Sequence, residues 1–461
     1  MAERITLAAD IFRAYDIRGI VGQGLDVHSV LWIGRAIGTE ALAAGETTLL
    51  LGRDARLSSP SLSQALRTGI SQSGCNVIDL GVVPTPLLYF ATHTLPAHSG
   101  VMLTGSHNPR DYNGIKIVLK QRALADNQIS RLRERVENNE LVSGNGSVSH
   151  YDIVPAYLAR ITGDIKLNRR FKVVVDAGNG VGGMIAPQLF TALGCDVIPL
   201  YCEPDGNFPH HHPDPTSSKN LVDLQRAVQQ HQADIGIALD GDADRVGIVS
   251  ATGRLLNADH LLLAFAIDIL PDNPGARIVY DVKSSHHLSR IVTALGGKPV
   301  MCKSGHSFVK QKLVETDALL GGEFSAHLFF KHRWYGFDDG MYAAARFLAL
   351  MDRYDATADA LMEHMPPSCS TPELFIAVRE AEKFTLMQRI KAALTFNDAQ
   401  VSLLDGVRAD FDHGWGLIRA SNTTPSLVLR FEADNDTALL QIQQLFRTAL
   451  HKLLPGVTLP F

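Results

Sequence analysis

The 461-residue sequence predicts an α/β protein: three tandem, topologically similar α/β domains followed by a smaller C-terminal α+β domain. Two observations carry that expectation. The first is one plan written three times: an apolar strand, a polar turn, an amphipathic helix, a small-residue stop and a second strand. It runs from residues 48–54 to 73–78, from 172–178 to 193–198, and from 277–281 to 295–300. In each, an aspartate (Asp54, Asp176, Asp281) closes the first strand. A glycine (Gly74, Gly194, Gly296) stops a helix roughly 15–20 residues later, as suits βαβ units. The second observation is a change of pattern near the C-terminus. There, strand-like 417–420 and 426–431 bracket a polar turn, and a helical pattern from Asp436 to Leu453 ends before Pro455. That alternation predicts an antiparallel sheet with a helix on it. Polar or proline-marked stretches at 143–147, 251–254 and 365–368 place the expected domains at 1–150, 151–253, 254–366 and 367–461. A chain of this length exceeds what one core holds.

Bulk properties narrow the function class. The chain is 46% hydrophobic and 20% charged, with net charge −5 and mean hydropathy +0.03. No basic excess favours nucleic acid, and no apolar run is long enough to span a membrane. The first residues, Met1-Ala2-Glu3-Arg4, lack the apolar segment of a signal peptide. Five cysteines (Cys75, Cys195, Cys202, Cys302, Cys369) are dispersed without CxxC spacing. Such a set is expected to be reduced thiols in a cytoplasmic protein, neither a disulfide framework nor a zinc site.

Four segments carry chemistry. Residues 104–109, Thr-Gly-Ser-His-Asn-Pro, follow the apolar run 100–103, which puts Ser106 at the C-terminal end of a buried strand. A hydroxyl there, beside an imidazole and an amide, suits a serine attacked and re-formed in each turnover. A helix-starting turn is the competing reading. Asp240, Asp242 and Asp244 stand at alternate positions between apolar runs 235–239 and 246–249. A hairpin turn explains one aspartate, but three repelling carboxylates ask for a hard divalent cation, so Mg²⁺ is expected. The spacing is not that of an EF-hand. Three carboxylates also leave the octahedral set incomplete, which a phosphoryl oxygen would fill.

In residues 321–327 a carboxylate (Glu323), a hydroxyl (Ser325) and an imidazole (His327) match the vicinal hydroxyls of a sugar. Lys303, Ser304, Gly305 and His306 form a further cation–imidazole loop. Residues 419–425 offer Arg419, Ser421, Asn422, Thr423 and Thr424, a phosphate cradle or a hydroxylated hairpin turn. Arg18 in 15–19 and Lys116 in 112–116 each read as a cation beside a glycine turn. The tract His210-His211-His212 is expected to be structural, because adjacent side chains of an extended segment do not converge on one ion.

In this order, TGSHNP, DGDADR, GEFSAH and RASNTTP resemble the α-D-phosphohexomutase superfamily, most closely its bacterial phosphomannomutase/phosphoglucomutase family. The resemblance covers essentially the whole chain. It implies four domains around one central cleft and a reversible transfer of phosphate between O1 and O6 of glucose and mannose phosphates. The products supply nucleotide-sugar and surface-polysaccharide synthesis. It makes Ser106 the phosphoryl carrier, with Asp240, Asp242, Asp244 and a Ser106 phosphate oxygen on Mg²⁺. Glucose 1,6-bisphosphate or mannose 1,6-bisphosphate is the implied activator and intermediate.

Glu323 and Ser325 would read the sugar's 3- and 4-hydroxyls. Arg419, Ser421, Asn422, Thr423 and Thr424 would grip the phosphate not being transferred. Tyr15, Arg18, Lys283, Ser304, Gly305, His306 and His327 match further substrate contacts, and Arg245 an active-site arginine. Two departures stand out: Ala243, where many members carry glycine, and Phe324 and Ala326, which vary. For the proton that must move, the candidates are Lys116, Arg18, His107 and His327, with Lys116 and His327 to be tested first because arginine is a poor base. A monomer acting on small-molecule hexose phosphates is expected. The runner-up is phosphoglucosamine mutase, which usually shows TASHNP and a GEQSGH-like loop. A Mg²⁺-dependent sugar phosphatase and a non-catalytic sugar-phosphate sensor are the readings from other classes.

Overall fold

Gly74, Gly194 and Gly296 end their helices at φ of 95°, 90° and 76°, in the left-handed region that glycine enters without strain. They punctuate three repeats in the computed structural model, which describes residues 5–363, 365–421 and 424–461. In the first repeat, strand Thr48–Arg53 leads through helix Ser59–Gln72 to strand Asn76–Val82. Helix Thr85–Thr94 then feeds strand Gly100–Leu103, and Tyr112–Leu119 turns back beside it. The second repeat has strands Lys172–Asp176, Asp196–Leu200, Ile235–Leu239 and Val246–Ser250. The third has Arg277–Asp281, Lys298–Cys302, Leu320–Gly322 and Leu328–Phe330.

Every repeat pairs these strands identically. The first strand lies between the second and third, all parallel, and the fourth returns antiparallel beside the third. The hairpin joining third and fourth strands therefore always opens at the C-terminal end of the parallel strands, where open α/β sheets hold ligands. Those hairpins are 104–111, 240–245 and 323–327, so the three loops nominated from sequence are one loop of the fold.

The fourth sheet is wholly antiparallel, with Ser426–Ala433 between Gly414–Ala420 and Leu374–Ala377. Helix Asp436–Leu453 packs on it through Ala438, Ile442, Phe446 and Leu450. The candidate phosphate loop joins Gly414–Ala420 to Ser426–Ala433, and Ser421, Thr424 and Pro425 are its described residues. The expected fold class thus stands, with one local correction. The segments around Arg18 and Lys116 are not glycine turns but paired strands, with Arg18 opposite Gly114. Gly114 is needed for close packing: a Cβ there would lie 2.7 Å from the Ile17 carbonyl oxygen and 2.9 Å from that of Thr104.

One apolar core runs through the first, second and third repeats, whereas the C-terminal unit has its own. Between that unit and the third repeat, the described residues show one small buried apolar cluster, Val282, Trp415 and Leu417, with Met301 packed against it. The rest of the seam is polar. Arg408, only 2% exposed, donates to the carbonyls of Val282 (2.9 Å) and Ser284 (2.8 Å) while pairing with Asp410. All five cysteines are unpaired, and no described helix is long and apolar enough to cross a membrane.

Arg408→Ala would strand two buried carbonyls and remove the cation stacked 4.1 Å from the Trp415 ring centroid. We expect a loss of about 2–4 kcal/mol from the C-terminal unit's docking. It should appear as a lower urea midpoint when unfolding is followed by tryptophan emission; an unchanged midpoint would contradict this account of the seam.

Candidate active site

The four hairpins meet around a cavity of about 720 Å³. Its wall contains Tyr15, Arg18, Ser106, His107, Lys116, Arg245, Lys283, Ser304, Gly305, His306, Glu323, Ser325, His327, Arg419, Ser421 and Thr424. Asn422 and Thr423 lie outside the described residues. The sequence reading had missed Asp214, Thr216 and Ser217 from a loop of the second repeat, and Glu373 from the C-terminal unit. Asp214, Thr216 and Ser217 follow the histidine tract in a polar stretch with no recognisable catalytic spacing, and Glu373 stands alone among apolar neighbours.

Ser106 holds a left-handed backbone, φ 48°, uncommon for a residue with a side chain. The conformation is fixed from several directions. Its amide donates to Thr104 Oγ1 (2.9 Å), its carbonyl accepts from Arg56 Nη2 (2.7 Å), and Asp54 accepts the Gly105 N–H (3.0 Å). Gly241 presses on the same carbonyl so closely that a Cβ would sit 2.4 Å from it. The buried hydroxyl thus points at the aspartate hairpin, donating to Asp240 Oδ2 (2.9 Å), with His107 Nδ1 at 3.2 Å.

Asp240, Asp242 and Asp244 are fully buried. The hairpin turn and the carboxylate cluster, alternatives in the sequence, are here one feature. Ala243 reverses the chain at φ 60° and Ala326 does the same in the sugar loop at φ 71°, which is why glycine suits both positions. Lys116 arrives from the first repeat and donates to Asp242 Oδ2 (2.7 Å) and Asp244 Oδ2 (2.5 Å). Burial alone would favour its neutral form, but the two carboxylates outweigh it and hold its pKa well above the ordinary lysine value. Burial, then Asp244 and Asp242, push Asp240 well above the usual carboxylate range. Asp244 is lowered, because Lys116 and Arg245 overcome its burial.

Oxygens of the three aspartates lie within 4.8 Å of one another. Asp242 Oδ1 and Asp244 Oδ1 are buried with no hydrogen-bond partner among the described residues. An all-oxygen donor set with two orphaned carboxylate oxygens fits a hard divalent cation such as Mg²⁺.

Arg245 donates through Nε to His327 Nε2 (2.9 Å), so that nitrogen is already engaged as an acceptor. Burial, then the charges of Arg245 and Lys116, hold His327 neutral, its pKa well below the usual value. His107 is likewise neutral through burial, Arg245 and Arg18, and His306 through burial, Lys310 and Lys116. Asp338, also missed from the sequence, pairs with Lys310 (2.8 Å) and lies 3.6 Å from His327 Nδ1.

Across the cavity, Glu323 Oε1 accepts the Gly305 N–H (2.6 Å). Ser304 Oγ is held by Asp281 (2.7 Å), Lys283 pairs with Glu373 (3.1 Å), and Arg419 with Asp405 (2.9 Å). Thr424 donates through its amide and hydroxyl to Ser421 Oγ (3.1 and 2.8 Å). Arg18 donates to Asn108 (2.7 Å) and pairs with Asp16, and Tyr15 packs edge-on against His306. The histidine tract stays outside the cavity wall. His210 goes to Asn179 and the face of Tyr201, and His211 to Asp176.

Burial, then the charge of Asp281, pushes the Glu323 carboxyl up to about 8 against the opposing Lys283. From its ordinary value of 4.5 up to about 8 the native state keeps a proton that the unfolded chain releases, so this group lowers stability as pH rises through that window. The unfolding free energy of wild type minus that of Glu323→Gln should therefore fall between those pH values and level off above. Urea titrations from pH 5 to 9 check it; a flat difference would contradict the raised carboxyl.

Comparisons with known proteins follow this architecture. The sequence matches "Phosphoglucomutase/phosphomannomutase, alpha/beta/alpha domain I" over residues 9–143, domain II over 155–253, domain III over 257–368 and the C-terminal domain over 375–449. It is 52% identical to the phosphomannomutase/phosphoglucomutase of Pseudomonas aeruginosa PAO1, covering 100% of this chain and 99% of that one. To the phosphoglucomutase of Neisseria gonorrhoeae it is 46% identical, covering 96% and 97%. A crystal structure of a phosphoglucomutase/phosphomannomutase family protein from Burkholderia thailandensis superposes with a TM-score of 0.94 at 46% identity, covering 99% and 100%. The chain belongs to the phosphoglucomutase/phosphomannomutase family.

Proposed function

We propose that the protein is a phosphomannomutase/phosphoglucomutase. It would move a phosphoryl group reversibly between O1 and O6 of glucose and mannose phosphates, with Ser106 as carrier and a 1,6-bisphosphohexose as intermediate. The observation that carries this reading is one cavity wall holding the buried Ser106, Glu323 and Arg419, with the buried aspartate triplet bonded to it through Ser106 and Lys116. Four hairpins supply them, and we assign these to domains at 1–150, 151–253, 254–366 and 367–461. The cavity also gathers Arg18, Lys116, Arg245, Lys283 and Arg419, a cationic wall for a doubly phosphorylated sugar in a chain of net charge −5.

In this reading Asp240, Asp242, Asp244 and a phosphoserine oxygen would hold Mg²⁺. When bound, the ion supplies charge neutralisation at the phosphoryl group. The residues do the rest. A sugar hydroxyl attacks phosphorus, the P–Oγ bond of phosphoserine 106 breaks, the hydroxyl proton leaves and Oγ regains a proton. Lys116 is held charged by two aspartates and His327 Nε2 is engaged by Arg245. The neutral imidazole at Ser106 Oγ is that of His107, so His107 takes over from Lys116 and His327 as first choice to exchange that proton.

Glu323 and Ser325 would fix the 3- and 4-hydroxyls, with Tyr15, Ser304, Gly305 and His306 around the ring. Arg419, Ser421, Asn422, Thr423 and Thr424 would hold the resting phosphate through charge-assisted bonds. After the intermediate turns around, the same cradle would serve the other end.

Intact mass before and after glucose 1,6-bisphosphate tests the carrier role. Wild type should gain one phosphoryl group and Ser106→Ala none, with isomerase activity lost by at least about a thousandfold. Inorganic phosphate released without isomerised sugar would establish a phosphohydrolase instead. Ligand binding without covalent phosphate would establish a sensor.

Because Glu323 and Ser325 would read hydroxyls common to both sugars, kcat/KM for glucose 1-phosphate and mannose 1-phosphate should agree within about tenfold. A preference of several orders of magnitude would sink the dual-substrate reading.

A further inference from the structure

The seam between the third repeat and the C-terminal unit holds a second cluster of metal-ligating side chains, none of which lines the cleft. His286 and His287 open the helix His286–Ala294 on one side, and Glu432 and Asp434 end the strand Ser426–Ala433 on the other. Three of them are deeply buried: His286 at 6% exposure, His287 at 7% and Glu432 at 1%. Although adjacent in sequence, the two imidazoles lie against each other, their centroids 4.0 Å apart and their planes tilted by 45°. The side chain of Ser285, which caps the helix by accepting the His287 N–H, holds that end in place.

The hydrogen bonds assign the proton of one ring. His286 Nε2 lies 3.1 Å from Asp434 Oδ1, whose other oxygen lies 3.2 Å from His413 Nδ1. An ionised carboxylate only accepts, so Nε2 carries the hydrogen and Nδ1 the lone pair. That Nδ1 faces Glu432 Oε1 at 4.0 Å and has no hydrogen-bond partner among the described residues. Arg430 lies 3.8 Å from the other oxygen of Glu432, and the Ser285 hydroxyl donates to Oε1. The unpartnered Nδ1 and the carboxylate oxygen thus face each other across a buried gap. His287 Nε2 is buried and unpartnered among the described residues as well, 4.0 Å from Asp434 Oδ1.

We propose that His286 Nδ1, His287 Nε2 and Glu432 Oε1 form a site for a transition-metal ion of the Zn²⁺ class, clamping the C-terminal unit onto the third repeat. Ligand atoms of these three residues lie within 4.8 Å of one another. Zinc bonds of about 2.1 Å put tetrahedral ligands about 3.4 Å apart, so small side-chain shifts close the set. Two imidazoles and one carboxylate select zinc-class ions over Mg²⁺. The outer partners that such ligands need are already in place. Asp434 takes the far nitrogen of His286, while Glu432 accepts from Ser285 Oγ (2.5 Å) and Trp415 Nε1 (3.2 Å).

The test uses the full chain, stripped with chelator and held in excess Mg²⁺ to fill the aspartate site, then titrated with Co²⁺ as a spectroscopic stand-in for zinc. One equivalent should bring the visible absorption of four-coordinate Co²⁺, held by these three ligands and one water, and calorimetry with Zn²⁺ should give one site. His286→Gln and His287→Gln should each lose the absorption and weaken Zn²⁺ binding at least tenfold. Asp240→Asn should retain both. Chelator-treated unfolding curves for each histidine variant establish that it folds. If the Co²⁺ signal survives in a folded His287→Gln variant, or vanishes with Asp240→Asn, the proposal is overturned. The same holds if wild type in excess Mg²⁺ binds no Zn²⁺ at all.

Discussion

Three carboxylates buried at the tip of one hairpin form the constraint around which the rest of the structure is arranged. Like charges this close, away from water, repel by several kcal/mol unless each meets a cation or a donor. The second repeat answers part of that demand itself, through Arg245, whose amide donates to Asp240 Oδ1 (3.2 Å) and whose guanidinium lies 3.8 Å from Asp240 Oδ2. Its neighbours supply the rest. Asp242 and Asp244 are neutralised by Lys116, on the returning strand of the first repeat, and Thr85 of that repeat adds a 2.5 Å bond to Asp242. Asp240 takes the Ser106 hydroxyl, while Arg245 reaches from the aspartate hairpin to His327 in the third repeat. The relative placement of three repeats, and hence the existence of a single cleft, follows from where those charges are compensated.

The same economy appears at the strand ends. The aspartate closing the first strand of each repeat restrains a neighbouring loop. Asp54 accepts from Gly105 and Ser59, and so holds the serine hairpin. Asp281 accepts from Ser304 and Phe324, and so holds the sugar hairpin together with the loop before it. In the second repeat Asp176 turns instead to His211, fixing the loop that carries Asp214, Thr216 and Ser217 into the cleft wall. One topological position does one kind of work three times, with a different beneficiary in the middle repeat.

What the sequence disclosed is what depends on near neighbours. Alternation, helix stops and turn chemistry act over a few residues, so the C-terminal helix from Asp436 to Leu453 and the three repeats could be read directly. The polar motifs were legible because their density is unusual. What escaped is what only distance in the chain assembles. Arg56 reaches the carbonyls of Ser106 and Asn108 from 50 or more residues away. Asp338, Lys310 and Thr85 carry no motif, and Asp405 ties Arg419 to the Ser304 amide from an ordinary-looking turn. The glycines beside Arg18 and Lys116 misled for a related reason. Glycine serves tight turns and close strand packing alike, and a local reading cannot separate the two.

The C-terminal unit is joined to the rest by a different physics. Its apolar contact with the third repeat is small, and the attachment rests on directional bonds from Arg408 to Val282 and Ser284, and from Arg430 to the Lys283 carbonyl. Hydrogen bonds can be traded for water at modest net cost, whereas exposing a large apolar face cannot. A seam of this kind opens along a defined line while both cores stay intact. It also ends inside the cleft: Lys283, whose carbonyl Arg430 holds, pairs with Glu373, and Asp405 joins Arg419 to the loop of Ser304. In the proposed cycle the bisphosphate must be released by the cradle, turned and gripped again. Because Asp405 accepts from both Arg419 Nε and the Ser304 amide, one carboxylate couples the C-terminal unit to the sugar-side loop of the third repeat, and parting the seam would have to break that shared contact.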